Sequence, residues 1–219
     1  MKEGDFIRID YVGRILESGE IFDLTKEDYA KQEGVFTPEV KYGSVPIIIG
    51  ANLVVKGLEN ALKEMKIGDK KKITVKPEDA FGERKTEFIK LVPIAEFKKQ
   101  GMTPYPGMLV NINRLRGRVL SVSGGRVRVD FNHPLAGKEL ECDVEIKEQI
   151  NDSVEKVKAV MENYLKDVKD VEISIQNEIV EIKIKNEDAP RMIKKTVSDT
   201  IIKWIEGIKK IQFIEEFAQ

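Results

Sequence analysis

The sequence predicts an α+β protein built from several modules. Three observations support this expectation. Residues 1–82 combine short alternating patterns, typical of strands, with one helical pattern, and the composition changes from Glu83 onward. Residues 150–219 form a unit of their own in which the expected elements follow the order αββαβ. A length of 219 residues is also long for one small domain and suits two or three.

The first module is expected to contain short strands around one long helix. Alternating apolar residues predict the strands, whereas Val55, Leu58 and Leu62 recur at helical spacing. In chain order, the expected elements are a strand at 6–12, a strand at 21–23, a short helix at 26–31, a strand at 45–50, a helix at 54–65, a strand at 71–75, a loop at 77–82 and, after a long interruption, a returning strand at 140–146.

The interrupting segment differs from the rest in charge. Residues 84–130 hold ten Lys and Arg against three Asp and Glu, and this contrast predicts a separate module. Prolines and glycines break up residues 88–107, which are therefore expected to lack regular structure. A Ser123-Gly124-Gly125 turn predicts a hairpin of strands at 118–122 and 126–131.

Residues 150–219 carry signals for two helices and three strands. Asp152, followed by Glu155, resembles a capping box and precedes an apolar helical face that reaches Val168. Pro190 is expected to open the second helix. The expected strands lie at 171–175 and 180–184, on either side of Asn177-Glu178, and at 211–217.

Composition limits the function classes. Hydrophobic residues make up 41% of the chain, enough for a core, and 34% charged residues rich in Lys and Glu favour a thermophile. The single Cys142 excludes an internal disulfide and indicates a reducing compartment. The polar start and the absence of a run of about 20 apolar residues predict a cytoplasmic protein without a membrane partner.

Separated segments of the sequence share the composition of an apolar cleft. They carry mainly aromatic and aliphatic side chains, with Asp23 as the candidate acid of the cleft, and are Tyr11–Gly13, Gly19–Asp23, Val54–Glu59, Ala80–Gly82 and Phe131–Leu140. Nothing among them forms a nucleophile set. One His and one Cys make a metal site improbable, so neither metal nor cofactor is expected. Such a cleft is typical of a site that binds and reshapes an apolar ligand.

These segments resemble the FKBP-type peptidyl-prolyl cis-trans isomerases. Their interrupted order resembles the SlyD-like branch, in which a second domain replaces the flap loop, and Asn132–Gly137 is the sharpest marker. The tail is similar to the extension of long archaeal members. The resemblance implies an antiparallel half-barrel wrapped on the helix at 54–65. It also implies three domains, namely an isomerase domain at 1–84 plus 130–149, a β-rich insert-in-flap chaperone domain at 85–129 and a C-terminal domain at 150–219.

The resemblance also assigns roles to particular positions. The implied catalytic pocket is lined by Tyr11, Phe22, Asp23, Val54, Val55, Leu58 and Phe81, with Val45 and Cys142 as further substrate-binding wall residues. Asp23 either orients the twisted amide or braces Tyr11. Leu58 and Cys142 replace aromatic residues found in many members, which makes the pocket roomier. A holdase chaperone with weak or no isomerase activity is therefore the alternative.

The insert has three interpretations. Tyr105, Met108, Leu109, Val110 and Ile112 offer an apolar surface for unfolded clients. Arg114, Arg116 and Arg118 alternate on one expected strand, and Arg126 and Arg128 on its partner, a pattern that favours either a solvated outer face or nucleic-acid binding. The last is disfavoured because Tyr105 is the only aromatic residue between Phe97 and Phe131.

We therefore expect an isomerase with chaperone activity whose partners are unfolded or partly folded proteins that contain X-Pro bonds. The module at 150–219 either closes its own small core or forms a homodimer. The homodimer is favoured because about 70 residues give a marginal core alone.

Overall fold

The computed structural model describes residues 1–165, 171–185 and 189–216. The strands are β1 (Phe6–Ile15), β2 (Ile21–Leu24), β3 (Val45–Ile48), β4 (Lys70–Val75), β5 (Ile89–Pro93), β6 (Leu109–Ile112), β7 (Leu115–Ser123), β8 (Arg126–Asp130), β9 (Leu140–Ile150), β10 (Val171–Gln176), β11 (Ile179–Lys185) and β12 (Lys210–Glu216). The helices are α1 (Glu27–Gln32), α2 (Lys56–Glu64), α3 (Ile94–Lys99), α4 (Ser153–Tyr164) and α5 (Arg191–Trp204). The predicted α+β class with antiparallel sheets is confirmed, although β12 runs parallel to β11.

The chain forms two compact units. The first unit comprises Met1–Val75 with Leu140–Gln219, and the second comprises Lys76–Glu139. The first contains a five-stranded antiparallel sheet in which β2, β1, β9 and β4 are neighbours and β3 also pairs with β1. It also contains the three-stranded sheet β10–β11–β12. No helix among the described residues has the length and apolar character needed to cross a membrane.

One face of the five-stranded sheet packs on α2. Successive side chains of a strand point to opposite faces, so Ile7 and Ile9 of β1 share a face, and both are fully buried. They form a core cluster with Leu58 and Leu62 of α2 and with Ile146 of β9. The sheet expected to wrap on this helix therefore contacts it through a close-packed apolar layer.

The opposite face of the same sheet is covered by the C-terminal residues. Phe6, Ile48 and Ile150 belong to a second core cluster that includes Val157 of α4 and Ile201 of α5. Helix α4 begins as expected, with Asp152 as its cap, because the Asp152 side chain accepts a hydrogen bond of 3.0 Å from the backbone nitrogen of Glu155. The expected continuation to Val168 and the strand end at Phe217 lie outside the described residues.

An ion pair accompanies this packing. The Arg8 guanidinium on β1 donates two hydrogen bonds, of 2.9 and 2.8 Å, to the two carboxylate oxygens of Glu162 on α4. The pKa of Arg8 is raised chiefly by its hydrogen bond to Glu162, which outweighs the opposing effect of burial. A forked pair of this kind fixes orientation as well as adding energy.

The second unit is a four-stranded antiparallel sheet in the order β5–β8–β7–β6. Its core contains Val110, Val119, Val127 and Val129, closed by Phe97 of α3. The hairpin predicted around Ser123–Gly125 is confirmed.

Two expectations for the second unit are wrong. Residues 88–107 were expected to be irregular, but they contain β5 and α3, because Pro93 ends an edge strand and precedes the helix, positions that tolerate proline. Arg114 was expected on a strand with Arg116. It lies instead in the turn between β6 and β7, where Asn113 and Arg114 both have positive φ.

The forked pair predicts a measurable contribution to stability. Glu162→Gln removes the forked partner of the partly buried Arg8 cation and leaves it only the Glu148 carboxylate, 3.5 Å away, and we expect the free energy of unfolding to fall by about 1 kcal/mol. Chemical denaturation measures the change. The double variant Arg8→Met with Glu162→Leu should lose less than Glu162→Gln, because no partly buried cation remains and the Glu148 carboxylate is largely exposed to water. An unchanged denaturation midpoint for Glu162→Gln would show that the pair contributes nothing.

Candidate functional site

Most of the predicted pocket residues of the first unit share one cluster beside α2. Six of them belong to this cluster or pack against it, namely Tyr11, Val45, Val54, Val55, Leu58 and Cys142. Their positions follow from strand pairing, because Tyr11 on β1 lies opposite Val144 of β9, and Cys142 lies opposite both Gly13 of β1 and Ile73 of β4. Residues far apart in the sequence thus form one apolar surface.

Phe22 lies over a glycine of the neighbouring strand. A Cβ atom placed on Gly13 would be 2.5 Å from Cζ of Phe22, closer than real atoms approach. Gly13 also pairs with Asp23, and the register between β1 and β2 shifts after it. The glycine therefore provides the space in which the Phe22 ring rests on β1.

Tyr11 and Asp23 are joined directly. The Tyr11 hydroxyl donates a short hydrogen bond to a carboxylate oxygen of Asp23. Burial raises the pKa of Tyr11 well above its usual value, and the hydrogen bond to Asp23 and the charge of Asp23 add to this rise. Two roles were left open for Asp23, and this hydrogen bond agrees with the one in which Asp23 holds Tyr11 in place. The raised pKa keeps the Tyr11 phenol neutral.

Sequence reasoning missed Thr25, which supports this pair. Its buried hydroxyl accepts a 2.9 Å hydrogen bond from the backbone nitrogen of Tyr11. The Thr25 backbone nitrogen donates in turn to the Tyr11 carbonyl oxygen at 3.0 Å. Thr25 thereby holds the end of β2, which carries Phe22 and Asp23, against β1. Nothing in its sequence surroundings distinguishes it from an ordinary turn threonine.

Glu59 is a second supporting residue. It is buried, accepts a 3.0 Å hydrogen bond from the backbone nitrogen of Gly50 and lies 3.3 Å from the Lys63 ammonium. This contact ties α2 to the loop that carries Val54 and Val55. Gly57-Leu58-Glu59 was recognised as a motif, but its acid was given no role. The available signal was a carboxylate in the first turn of a helix that follows a glycine-containing loop.

The Cys142 thiol is buried in the apolar layer. Its residue is only 3% exposed. Burial raises the thiol pKa to about 11, and the negative charges of Asp143, Glu141 and Asp23 contribute further. The group is therefore a protonated, small apolar wall residue and not a nucleophile.

Phe81, the remaining predicted pocket residue, lies in the second unit. Its ring stacks on the His133 imidazole, with ring centres 4.3 Å apart and planes 4° from parallel. His133 also accepts a 3.2 Å hydrogen bond at Nδ1 from the backbone nitrogen of Leu135, within its own turn.

The marker segment Asn132–Gly137 is hydrogen-bonded to the segment at Lys85 within the second unit. Asn132 accepts a 2.9 Å hydrogen bond from the Lys85 nitrogen and donates one of 2.9 Å to the Lys85 carbonyl oxygen. Beside it, Arg84 donates two bonds to Asp130. The start and the end of the four-stranded sheet are thereby held side by side.

A mainly apolar cavity of about 340 Å³ lies in the second unit. We call it the groove, and its apolar lining comprises Phe88, Leu91, Val92, Pro93, Ile112, Leu115 and Phe131. Phe88, Leu91 and Leu115 are exposed. These three and Phe131 were not predicted, because their proximity depends on the pairing of strands that sequence reasoning had not placed.

The predicted client-binding residues of the second unit have different surroundings. Tyr105 and Leu109 are exposed, whereas Met108 packs against the core. Val110 and Ile112 are buried core residues, and Ile112 also lines the groove.

Comparison with protein families gives three matches along the chain. The family model described as "FKBP-type peptidyl-prolyl cis-trans isomerase" matches residues 1–98. The model described as "FKBP26, IF domain" matches residues 90–135, and the one described as "FKBP26_C-terminal" matches residues 153–218.

Curated relatives agree with these matches. A short-type peptidyl-prolyl cis-trans isomerase from Methanocaldococcus jannaschii is 30% identical over 148 residues, which cover 68% of this chain and 93% of the relative. A probable FKBP-type 16 kDa isomerase from Pseudomonas fluorescens is 39% identical over 103 residues, 45% of this chain and 67% of the relative. An isomerase named SlyD from Helicobacter pylori is 35% identical over 97 residues, 42% of this chain and 52% of the relative.

The close approach of Phe22 and Gly13 predicts a selective loss of function. Gly13→Ala forces the ring away from β1, and we expect kcat/KM for an X-Pro tetrapeptide to fall about tenfold, equivalent to about 1.4 kcal/mol. The matched control is Gly57→Ala, whose Cβ would meet Val75 at the same 2.5 Å. It should lower stability while sparing turnover per folded molecule. Full turnover by Gly13→Ala would exclude Phe22 from the site.

The buried thiol predicts slow modification. With a pKa of about 11, only about one Cys142 thiol in a thousand is ionised at pH 8. We expect reaction with a colorimetric disulfide reagent to be at least ~100-fold slower in the folded protein than in guanidinium. The folded-state rate should rise as the pH approaches 11. A rapid reaction of native protein at pH 8 would contradict this placement.

Proposed function

The chain belongs to the FKBP-type peptidyl-prolyl cis-trans isomerases, and from this premise we propose that it also acts as a chaperone. The groove of the second unit holds unfolded or partly folded proteins. The apolar layer beside α2, together with the Tyr11–Asp23 pair, forms an isomerase site in the first unit. The observation that supports this isomerase site is the hydrogen bond by which Asp23 holds Tyr11, a residue that packs against the layer.

The chemistry requires no covalent step. Rotation about an X-Pro amide has a barrier of about 18–20 kcal/mol, which arises from amide resonance. Water supports the planar, charge-separated form, so an apolar surface that excludes water lowers the cost of twisting the bond. Only contacts that are stronger in the twisted amide than in the planar one accelerate the reaction.

The residues of the first unit divide this task. Val54 and Val55, which are partly exposed, offer an apolar surface for the proline ring, and the buried Leu58 belongs to the layer on which they pack. The Tyr11 hydroxyl directs its proton to Asp23, which leaves the phenol oxygen as a fixed dipole beside the bound amide. Phe22 covers the same side of β1. The reaction involves no net proton transfer, since both amide forms have the same composition.

The groove supports the chaperone part of the proposal. It lies along β5 and the turn between β6 and β7, and both β5 and β6 are edge strands with unpaired backbone groups. Extended peptides bind such sites by adding a strand while alternate side chains enter apolar pockets. Exposed Phe88, Leu91 and Leu115 provide that contact for clients without a fixed sequence.

Capture and turnover on one chain act together. A client held by the second unit stays at a high effective concentration near the isomerase site, so its X-Pro bonds meet the site repeatedly. Isomerisation of a protein should therefore gain more from the second unit than isomerisation of a tetrapeptide. The alternative is a holdase chaperone with weak or no isomerase activity. The tetrapeptide assay distinguishes it from the proposed function, because a holdase would not accelerate isomerisation of the tetrapeptide.

A single groove substitution tests this division. Leu91, 62% exposed, is replaced by Ser, and the control is Ile67→Ser, at 53% exposure in the first unit. We expect Leu91→Ser to slow catalysed refolding of a proline-limited protein several-fold while kcat/KM for the tetrapeptide stays constant. Ile67→Ser should change neither rate. If Leu91→Ser leaves refolding catalysis intact, the groove does not hold clients.

The homodimer through residues 150–219 also stays a proposal. The core that these residues share with the five-stranded sheet supplies much of the burial that the sequence argument assigned to a second copy. Met192, 81% exposed, and Ile202 on α5 are apolar side chains that remain available for a partner. Light scattering of the full chain at rising concentration should show twice the mass of 24.9 kDa. A constant monomer mass would remove the proposal.

A further inference from the structure

The outward face of the four-stranded sheet carries a concentration of arginines. Arg116 and Arg118 lie on β7, and Arg126 and Arg128 lie on β8. All four are exposed, whereas the valines that alternate with them, Val119, Val127 and Val129, are buried in the core. We call these four residues the arginine face.

The arginine face lacks carboxylate partners of its own. None of the four guanidinium groups lies within 4.0 Å of a carboxylate among the residues that the structure describes. Asp130 stands on the same face opposite Arg118. Its oxygens, however, accept from Arg84 at 2.6 and 2.9 Å and from Asn132. Four cations therefore face solvent with their hydrogen-bond donors available to a bound anion.

The arginines lie on the two central strands, β8 and β7, each of which neighbours one edge strand of the sheet. At the β5 edge, Leu91 pairs with Arg128 and Pro93 pairs with Arg126. At the β6 edge, Leu109 pairs with Arg118 and Asn111 pairs with Arg116. The sheet thus presents the same arrangement on both sides, an apolar or amide-bearing edge strand backed by two arginines at alternate positions.

This arrangement determines what an added strand would meet. Neighbouring strands lie about 4.8 Å apart, and alternate residues of one strand lie about 6.7 Å apart. A client strand paired with either edge would place its outward side chains about 10 Å from the arginine backbone. An Arg side chain extended toward an Asp or Glu side chain of the client bridges that distance. Two client acids at alternate positions are also as far apart along their strand as two arginines at alternate positions are along theirs.

We infer that the second unit selects extended client segments in which acidic residues at alternate positions adjoin an apolar stretch. The apolar side chains enter the groove, and the acids pair with the arginine face. This inference rests on the proposed capture of clients and names the class of segment captured. A nucleic acid suits the same charge less well, because the strand residues of this face include Leu91 and Leu109 but no aromatic side chain for stacking.

Three labelled peptides test the inference on the full chain. They share one apolar, proline-containing core and differ only at two alternating flanking positions, which are Asp, Asn or Lys. We expect the Asp peptide to bind about three- to tenfold more tightly than the Asn peptide, and the Lys peptide most weakly. The advantage of the Asp peptide should shrink between 50 and 500 mM salt, because salt screens the attraction between solvent-exposed charges.

Charge-matched variants locate the effect. Arg126→Gln with Arg128→Gln, and Arg116→Gln with Arg118→Gln, each remove two charges from the arginine face. Lys76→Gln with Lys98→Gln removes two charges from exposed positions elsewhere in the same unit. The preference for Asp should be lost in at least one arginine variant and kept in the lysine variant. An equal loss in the lysine variant would show a net-charge effect and overturn the inference.

The remaining outcomes are distinct. Equal binding of the Asp and Asn peptides overturns the inference while leaving the proposed capture of clients in place. Failure to bind any of the three peptides removes the proposed capture itself. Tighter binding of a single- or double-stranded oligonucleotide than of the Asp peptide, lost in the arginine variants, would assign the face to nucleic acid and overturn the inference as well.

Discussion

The pairing of β1 with β9 is the constraint on which the first unit depends. The two strands pair from Phe6 with Ile150 to Ile15 with Leu140, and each contributes side chains to both faces of the sheet. One face of β1 supplies Ile7, Ile9 and Tyr11 to the layer beside α2. A slip of one residue would exchange the two faces. Burial on both sides, by α2 and by the C-terminal helices, therefore fixes the position of Tyr11 as firmly as it fixes the core.

Much of the fold was predictable from local pattern. Alternation identified β1, β2, β3 and β4, and helical spacing identified α2 and the two C-terminal helices, because each signal lies within a few residues of chain. The error over residues 88–107 arose because the effect of a proline depends on its place in the sheet. Pro93 disrupts a central strand but is tolerated at the end of an edge strand, and the sequence does not reveal which strands are edges.

The residues that line the site were predictable from the sequence, but the residues that support them through hydrogen bonds were not. The resemblance supplied Tyr11, Phe22 and Asp23, whereas Thr25 and Glu59 act through single hydrogen bonds whose partners come from other segments. An amphipathic pattern likewise shows that a helix has an apolar face without showing what that face covers. The packing of α4 on the back of the five-stranded sheet was unpredictable for this reason.

The reciprocal hydrogen bonds between Lys85 and Asn132 have an evolutionary consequence. Because they hold both ends of the intervening segment together, the segment needs no more from its host than a turn between neighbouring positions. Closing so long a loop costs little extra entropy once its ends are already adjacent, and each doubling of length adds only about 0.6 kcal/mol. Such a segment is a transplantable cassette, which can be gained, lost or exchanged between lineages without redesign of the protein that receives it.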